Sequence, residues 1–169
     1  MTNIQFEQGT AEVLPYPTAS FDMVATRFSV HHFKNPDVAL REMSRVCRAG
    51  GKFAVIDLVS PDDPTLAVQY NHWERLRDPS HTRALSALEL KQAVAKAGIA
   101  ITDHYVREVE MDVHAWLDFS HTQAAARRRI LDAIDRELQG GDKTGMRPST
   151  KENKLMFMHT WGVVVGEKR

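Results

Sequence analysis

Short apolar runs, separated by turn residues, predict five strands along the chain. Some runs alternate apolar and polar side chains, which is typical of a half-buried strand. Others are almost continuously apolar, which indicates a strand covered on both faces. Gly, Pro, Asn and Asp residues separate the runs, because these residues favour turns. The predicted strands cover residues 3–8, 21–28, 52–59, 99–109 and 155–166.

Helices are predicted between these strands, from apolar positions three or four residues apart. Asn35-Pro36-Asp37 has the residues expected at a helix start, and Gly50-Gly51 is expected to end that helix. Ser86 and Glu89 form the S-x-x-E pattern of a capping box, so a helix is expected to begin there and to run to Gly98. Further helical stretches are predicted at residues 65–77 and 113–139.

The order of these elements indicates the fold class. Strands that alternate with helices favour an α/β fold, so the sequence predicts a mainly parallel sheet flanked by helices. The length of 169 residues fits one domain, and we expect a single domain over residues 1–169.

Composition and charge exclude several classes of protein. Hydrophobic residues make up 43% and charged residues 26%, which is typical of a globular domain. Because 22 basic residues balance 22 acidic ones, we expect no nucleic-acid partner. No apolar run reaches the roughly 20 residues needed to cross a bilayer, and residues 1–10 do not resemble a signal peptide. The single cysteine, Cys47, is expected to be an inert core residue, and a cytoplasmic protein without membrane association is predicted.

Three motifs within residues 9–51 fit together as a family signature. They read G-T-A-E-V-L-P-Y followed by S-F-D-M-V (9–16 and 20–24), R-F-S-V-H-H-F (27–33) and R-E-M-S-R-V-C-R-A-G-G (41–51). Together they resemble the class I S-adenosylmethionine (SAM)-dependent methyltransferase superfamily, in particular the branch of the ubiquinone/menaquinone-biosynthesis C-methyltransferases. The resemblance is close over residues 3–60 and rests on the order of elements in the C-terminal half.

The resemblance implies a partial Rossmann-like methyltransferase fold and a set of SAM-binding residues. The family's A-E-x-L-P loop lies beside the adenine, which assigns Thr10, Ala11 and Glu12 to the cofactor, with Thr10 replacing the family's usual acid. The family places the residues after the next strand near the methionyl part of SAM, which assigns Arg27, Phe28 and Ser29. Ligands in open α/β sheets bind at the carboxyl ends of strands, which agrees with this placement.

The family's Gly-rich loop, of the type G-x-G-x-G, has no counterpart in the sequence. In the family this loop follows the first strand and holds the cofactor, because glycines let the backbone approach it closely. An acidic residue after the second strand then holds the ribose. We therefore expect an N-terminally truncated relative that lacks the first two strands, and in which SAM binding is weakened or lost.

The family order of strands, 3-2-1-4-5-7-6, predicts how the sheet is assembled. A chain that starts at strand 3 keeps strands 4, 5, 7 and 6 as neighbours. The strand at residues 21–28 then becomes an apolar edge, which is prone to pair with another strand. We expect this edge, from Phe21 to Phe28, to pair with a second copy in a homodimer, or with residues 3–8 folded back.

Two adjacent histidines, His31 and His32, are candidates for catalysis. An imidazole near the methyl donor is able to act as a general base, and His32 is selected because it lies nearer the cofactor-side loop. The alternative is structural, with one ring packed under the sheet and the other capping the next loop. No carboxylate or cysteine completes a metal set beside the pair, so no metal is expected. Asp57, at the end of a predicted strand, fits either the site or a turn cap.

Polar residues between two predicted helices are candidates for substrate binding. Related methyltransferases cover the substrate with this region, which implies roles for Arg75, Arg77 and His81. An arginine there would pair with an acidic group of the substrate. The alternative is a connection between two helices that is capped by Asp78 and Ser80.

These features favour a SAM-dependent methyltransferase that acts on a small-molecule acceptor. The main alternative is a non-catalytic, truncated methyltransferase-like protein that acts as a dimer or as a binding module.

Overall fold

The computed structural model describes residues 3–169 and confirms the α/β fold class. Within these residues, five strands form one sheet: Phe21–Arg27 (β1), Cys47–Leu58 (β2), Ile99–Asp112 (β3), Ser149–Lys151 (β4) and Lys154–Lys168 (β5). Five helices flank the sheet: Pro36–Val46 (α1), Pro64–Arg77 (α2), Ala87–Lys96 (α3), Val113–Phe119 (α4) and Ala124–Leu138 (α5). A short 3-10 turn at Val30–His32 follows β1.

The strand order is β1-β2-β5-β3, with the short β4 paired to β5. This order is the 4-5-7-6 arrangement that the resemblance implies. The sheet is mixed rather than mainly parallel, since only β1 and β2 form a parallel pair. The reason is that β5 is inserted between β2 and β3 and runs antiparallel to both.

Two predicted elements differ in the structure. Residues 3–8 form no strand and leave Phe6 93% exposed, so the predicted alternative in which they cover the edge of β1 is wrong. A pattern of alternating residues forms a strand only where a partner accepts its main-chain hydrogen bonds. Gly50 and Gly51 lie inside β2 instead of ending α1. Gly50 has φ +70° at a bulge, where the register of β2 against β1 shifts between Phe21 and Met23.

The helix starts follow their sequence signals. Asn35 caps α1 by accepting the N–H of Val38 at 3.2 Å, with Pro36 at the first helical position. The capping box of α3 is confirmed, because Ser86 accepts the N–H of Glu89 and the Glu89 carboxylate accepts the N–H of Ser86.

Two apolar clusters cover opposite faces of the sheet. Phe53 and Val55 of β2 pack with α1 and α3, whereas Leu58 of β2 packs with α2, α4 and α5. The same division occurs in β5, where Val164 belongs to the first cluster and Phe157 to the second. Residues of opposite parity on a strand point to opposite faces, which explains the division. None of the helices in residues 3–169 has the length and apolar character needed to cross a lipid bilayer.

Candidate active site

The segment that leads to β1 is held against α1 by one arginine. The guanidinium of Arg45 donates hydrogen bonds to the carbonyl oxygens of Leu14, at 3.3 Å, and Tyr16, at 2.8 Å. It also donates to the hydroxyl of Thr18 at 3.3 Å. These contacts fix the path of residues 14–18. These residues directly follow the predicted adenine loop, residues 10–12.

Glu42 completes this anchor. Its carboxylate accepts two hydrogen bonds from Arg45, at 2.7 and 2.8 Å, and one from the N–H of Leu14 at 3.0 Å. The bonds from Arg45 and then from Leu14 lower the pKa of Glu42 to about 2, so the carboxylate keeps its charge in mild acid. Neither residue is among the candidates predicted from sequence, although their i, i+3 spacing on a predicted helix is typical of an ion pair.

The predicted adenine loop, residues 10–12, is part of a tight turn with free main-chain donors. The N–H of Val13 donates to the carbonyl oxygen of Thr10 at 3.2 Å. The N–H groups of Ala11 and Glu12 donate to no acceptor within the described part of the chain. The turn is therefore able to donate to a ligand that carries acceptor atoms.

The carboxyl end of β1 carries the second predicted set of cofactor residues. Phe28 has φ +52°, an uncommon conformation for an aromatic residue, and its N–H donates to Ile56 of β2 at 2.8 Å. The guanidinium of Arg27 lies 4.3 Å from the centre of the Phe28 ring. The Trp161 ring lies edge-on to the Phe28 ring, with centres 4.9 Å apart. The hydroxyl of Ser29 donates to the Arg27 carbonyl oxygen at 3.1 Å. The chain thus turns sharply at the strand end where the cofactor is expected.

A buried carboxylate and an imidazole meet just beyond this turn. Asp57 is 1% exposed, and its Oδ1 lies 2.5 Å from Nδ1 of His31. The same carboxylate accepts the N–H of His31 at 3.1 Å and the N–H of Leu58 at 2.7 Å. Asp57 therefore fixes both the backbone and the ring of His31. Of the two roles left open for Asp57, the hydrogen bonds to the N–H groups of His31 and Leu58 favour the turn cap, and a role in the functional site stays a prediction.

His32, the histidine predicted to be catalytic, occupies a different environment. Its Nδ1 lies 3.0 Å from the carbonyl oxygen of Ser80, and its ring lies against that of His31, tilted by 46°, with centres 4.0 Å apart. This is the structural alternative stated above, in which one ring is buried and the other caps a loop. Within residues 3–169, no three His, Cys, Asp or Glu side chains come together as a metal site.

The predicted substrate-binding arginines have partners in the protein. Arg75 donates to the carbonyl oxygen of Thr82 at 3.0 Å, which ties α2 to the loop that follows it. Arg77 lies between α2 and α4, where it pairs with Glu74 at 2.9 Å and donates to the hydroxyl of Ser120 at 2.8 Å. These contacts favour structural roles for both side chains, and a role in substrate binding stays a prediction.

His81 is likewise held inside the structure. Its Nε2 lies 2.9 Å from Oδ1 of Asn71, which also accepts the N–H of Ala84 at 2.6 Å. Burial, followed by the nearby rings of His31 and His32, lowers the pKa of His81 to about 3. His81 is therefore neutral at physiological pH, and a role for it in substrate binding stays a prediction.

A second buried polar group lies between α2 and β5. Glu74 is 1% exposed, and His159 of β5 lies 3.7 Å from it, measured from Nε2 to Oε1. Burial raises the pKa of Glu74, against the opposing effect of Arg77, and burial lowers the pKa of His159 to about 4. The hydroxyl of Tyr70, also in this group, has a pKa raised well above its usual value by burial and then by Glu74. None of these three was predicted from sequence, because their burial depends on contacts distant in the chain.

An open cleft of about 680 Å³ begins at the residues that follow β2. Its walls are mainly apolar, and its rim carries both charges. The apolar lining includes Val59, Leu66, Val106 and Met158, and the charged rim includes Glu108 and Arg147. The carboxyl edge of the β1–β2 pair thus carries the sharp turn, the His31–Asp57 pair and the start of this cleft.

Comparisons with known proteins identify the family. The family model described as "Methyltransferase domain" matches residues 1–55. The uncharacterized methyltransferase YcgJ of Bacillus subtilis is 36% identical over 133 residues, which are 79% of this chain and 53% of that protein. The ubiquinone/menaquinone biosynthesis C-methyltransferase UbiE of Hahella chejuensis is 42% identical over 69 residues, which are 41% of this chain and 28% of that protein.

The solved structures agree with these sequence matches. The crystal structure of YcgJ from B. subtilis superposes with a TM-score of 0.86 at 31% identity, covering 99% of this chain and 72% of that chain. By sequence alignment, the chain spans 53% and 63% of the length of two curated relatives, YcgJ and the Escherichia coli protein YafE. The motifs, the strand order, the sequence matches and the superposition all lead to the same assignment. The chain belongs to the class I SAM-dependent methyltransferase superfamily.

Proposed function

We propose that this protein transfers a methyl group from SAM to a small-molecule acceptor. The observation that carries the proposal is the anchored segment before β1. Arg45 and Glu42 hold residues 14–18 on α1, and Leu14 packs on the same apolar cluster as Val30. The predicted adenine loop directly precedes this anchored segment, and the other predicted cofactor residues, Phe28 and Ser29, follow the carboxyl end of β1, where open α/β sheets bind ligands.

Two parts of the predicted site fit the cofactor in chemical type, although the family's Gly-rich loop has no counterpart in the sequence. The free N–H groups of Ala11 and Glu12 suit the acceptor nitrogen atoms of an adenine ring, and the hydroxyl of Thr10 is able to accept from its amino group. Phe28 and Ser29, at the strand end, are the candidates for the methionyl part. When bound, SAM supplies a methyl group on a positively charged sulfur, so the protein contributes mainly binding and orientation.

A small-molecule acceptor fits the cleft beside the carboxyl edge of the sheet. Its volume of about 680 Å³ lies in the range of ligand sites, and its apolar walls with a charged rim are typical of such sites. The balanced charge of the chain gives no electrostatic reason to expect a nucleic-acid acceptor.

Calorimetric titration of the chain with SAM tests the proposal. Arg45→Ala is expected to release residues 14–18 and to weaken SAM binding by about tenfold or more, which corresponds to ~1.4 kcal/mol. Arg41→Ala is the matched control, because Arg41 is exposed on the same helix, and its affinity is expected to equal that of the wild type. Absence of binding heat at millimolar SAM, or equal affinity in the two variants, would contradict the proposal.

The open edge of β1 favours a second candidate function, a dimeric binding module. No described strand pairs with this edge, and Met23 in β1 is 62% exposed. Unpaired main-chain groups on an apolar edge strand favour pairing with another strand, here from a second copy. Sedimentation at high micromolar concentration is then expected to give a dimer that Met23→Lys converts to monomer. A monomeric wild-type protein under these conditions would rule out the self-paired form.

A further inference from the structure

Glu137 of α5 is a buried carboxylate in the lining of the cleft that follows β2. The residue is 8% exposed, and its Oε2 accepts the N–H of Thr144 at 2.7 Å and the hydroxyl of Thr144 at 2.5 Å. The other carboxylate oxygen, Oε1, accepts no hydrogen bond within residues 3–169. A buried carboxylate oxygen without a donor is costly, so Oε1 favours a partner that carries N–H groups.

The position of Glu137 on its helix favours a partner with a positive charge. α5 ends at Leu138, so the carboxylate belongs to the last turn, where the helix dipole presents negative partial charge. Lys143 supplies one cation, but its Nζ lies 3.7 Å from Oε1, beyond hydrogen-bond distance, and its side chain is 66% exposed. Because an exposed lysine at this distance contributes little, a cationic group of a ligand is able to displace it.

The charges that line the cleft leave an excess of negative charge. Acidic side chains outnumber basic ones by three to two in the lining: Asp62, Glu108 and Glu137 against Lys143 and Arg147. The guanidinium of Arg147 is already paired with the Glu108 carboxylate at 2.6 Å. A cationic ligand is therefore attracted to the cleft, and an anionic ligand is repelled.

The segment that joins α5 to β4 fixes the shape of the cleft beside Glu137. The carbonyl oxygen of Met146 accepts the N–H of Met158 on β5 at 3.0 Å. Gly145, at φ +80°, lies so close to α2 that a Cβ there would be 2.6 Å from the carbonyl oxygen of Leu66. The segment is thus packed on both α2 and β5, which supply the apolar lining residues Leu66 and Met158. A buried carboxylate and an apolar wall therefore line the same cleft.

We propose that the cleft binds an amphipathic amine, a molecule with an apolar body and one protonated nitrogen, and that Oε1 of Glu137 accepts a hydrogen bond from this nitrogen. An ammonium group supplies both the N–H donors and the positive charge that Oε1 favours, while the apolar body packs on the apolar lining of the cleft. The inference rests on the proposed methyltransferase function and names its acceptor class. A neutral alcohol of the same shape would gain the packing alone, and a carboxylate would be repelled.

Three probes with the same alkyl chain test the ligand class. In calorimetric titrations of the wild type, octylamine is expected to bind about tenfold or more tightly than octan-1-ol, and octanoate is expected to bind more weakly than either. Because only the polar group differs among the probes, this ranking reports the charge preference of the site. The inference is overturned if octylamine does not bind at millimolar concentration, or if the alcohol or octanoate binds as tightly as the amine.

Glu137→Gln tests which residue binds the amine. The amide keeps the size of the side chain and a carbonyl oxygen for the two hydrogen bonds from Thr144, but it removes the negative charge. Octylamine is expected to lose about tenfold or more in affinity, whereas octan-1-ol is expected to bind as it does to the wild type. Asp135→Asn is the matched control, because Asp135 is exposed on the same helix and is not part of the cleft lining. It is expected to keep the wild-type affinity for octylamine.

The outcomes separate this inference from the proposed function. Circular dichroism shows whether Glu137→Gln is folded, and a folded variant that still prefers the amine to the alcohol as strongly as the wild type does would contradict the inference. If the variant does not fold, the ranking of the three probes on the wild type still decides. The probe titrations contain no SAM, so their failure leaves the proposed methyl transfer standing. Absence of SAM binding would contradict the proposed function and leave the ranking of the probes unchanged.

Discussion

Acidification below pH 6.5 is expected to destabilise the fold, by roughly 1.4 kcal/mol per pH unit for each of two buried imidazoles. The folded-state pKa is lowered to about 3 for His81 and to about 4 for His159, from 6.5 in each case, with burial as the largest cause. At a pH between the lowered pKa of each imidazole and 6.5, that imidazole binds more protons in the unfolded chain than in the folded one. The stability is therefore complete above pH 6.5 and is lost as the pH falls toward 4. Urea unfolding at a series of pH values measures this slope.

Glu74 opposes part of this effect, because its raised pKa means that the folded state takes up a proton more readily than the unfolded state. The test is therefore the change in slope on substitution. His81→Asn and His159→Asn are each expected to reduce the slope of the unfolding free energy against pH. This expectation does not depend on how each substitution changes the unfolding free energy at neutral pH. His121→Asn removes an exposed imidazole and is expected to leave the slope unchanged. A slope that stays the same in both buried variants would contradict the prediction.

Local signals in the sequence predict most of the fold. The capping box at Ser86 and the Asn-Pro pair at residues 35–36 work through contacts within one turn, so they are readable from sequence and are confirmed. The strand order follows from the resemblance. Residues 3–8 show where local patterns are insufficient, since alternation describes a strand only if a neighbour pairs with it.

The candidate site is harder to predict because its contacts join distant residues. His31 and His32 are the same residue type in adjacent positions, and only the approach of Asp57, 26 residues further on, distinguishes them. The contacts of Arg45 on α1 are hard to predict for the same reason, because they reach a segment about 30 residues earlier in the chain. Sequence spacing shows that Arg45 is able to pair with Glu42, but it does not show that the pair holds Leu14.

Glu74→Ala is expected to lower the free energy of unfolding by about 3–5 kcal/mol. The Glu74 and Arg77 side chains are 2% and 11% exposed, and they pair at 2.9 Å on adjacent turns of α2. Removing the carboxylate leaves a nearly buried guanidinium whose charge has no partner carboxylate. Arg77 would keep its bond to the Ser120 hydroxyl and its place over the Trp116 ring, at 4.9 Å, but neither carries a negative charge. Urea unfolding monitored by circular dichroism measures the loss.

Glu108→Ala is the matched control, because Glu108 pairs with Arg147 at 2.6 Å on the surface, with both side chains about half exposed. Solvent screens that pair, so its loss is expected to cost between about 0 and 1 kcal/mol. Glu74→Gln adds a second comparison, since it keeps the shape of the side chain and its hydrogen bond to Arg77 while removing the charge. If Gln is tolerated and Ala is not, the hydrogen bond and the packing outweigh the charge. If all three variants lose similar amounts, burial does not set the strength of these ion pairs, and the electrostatic account of the α2–β5 interior is wrong.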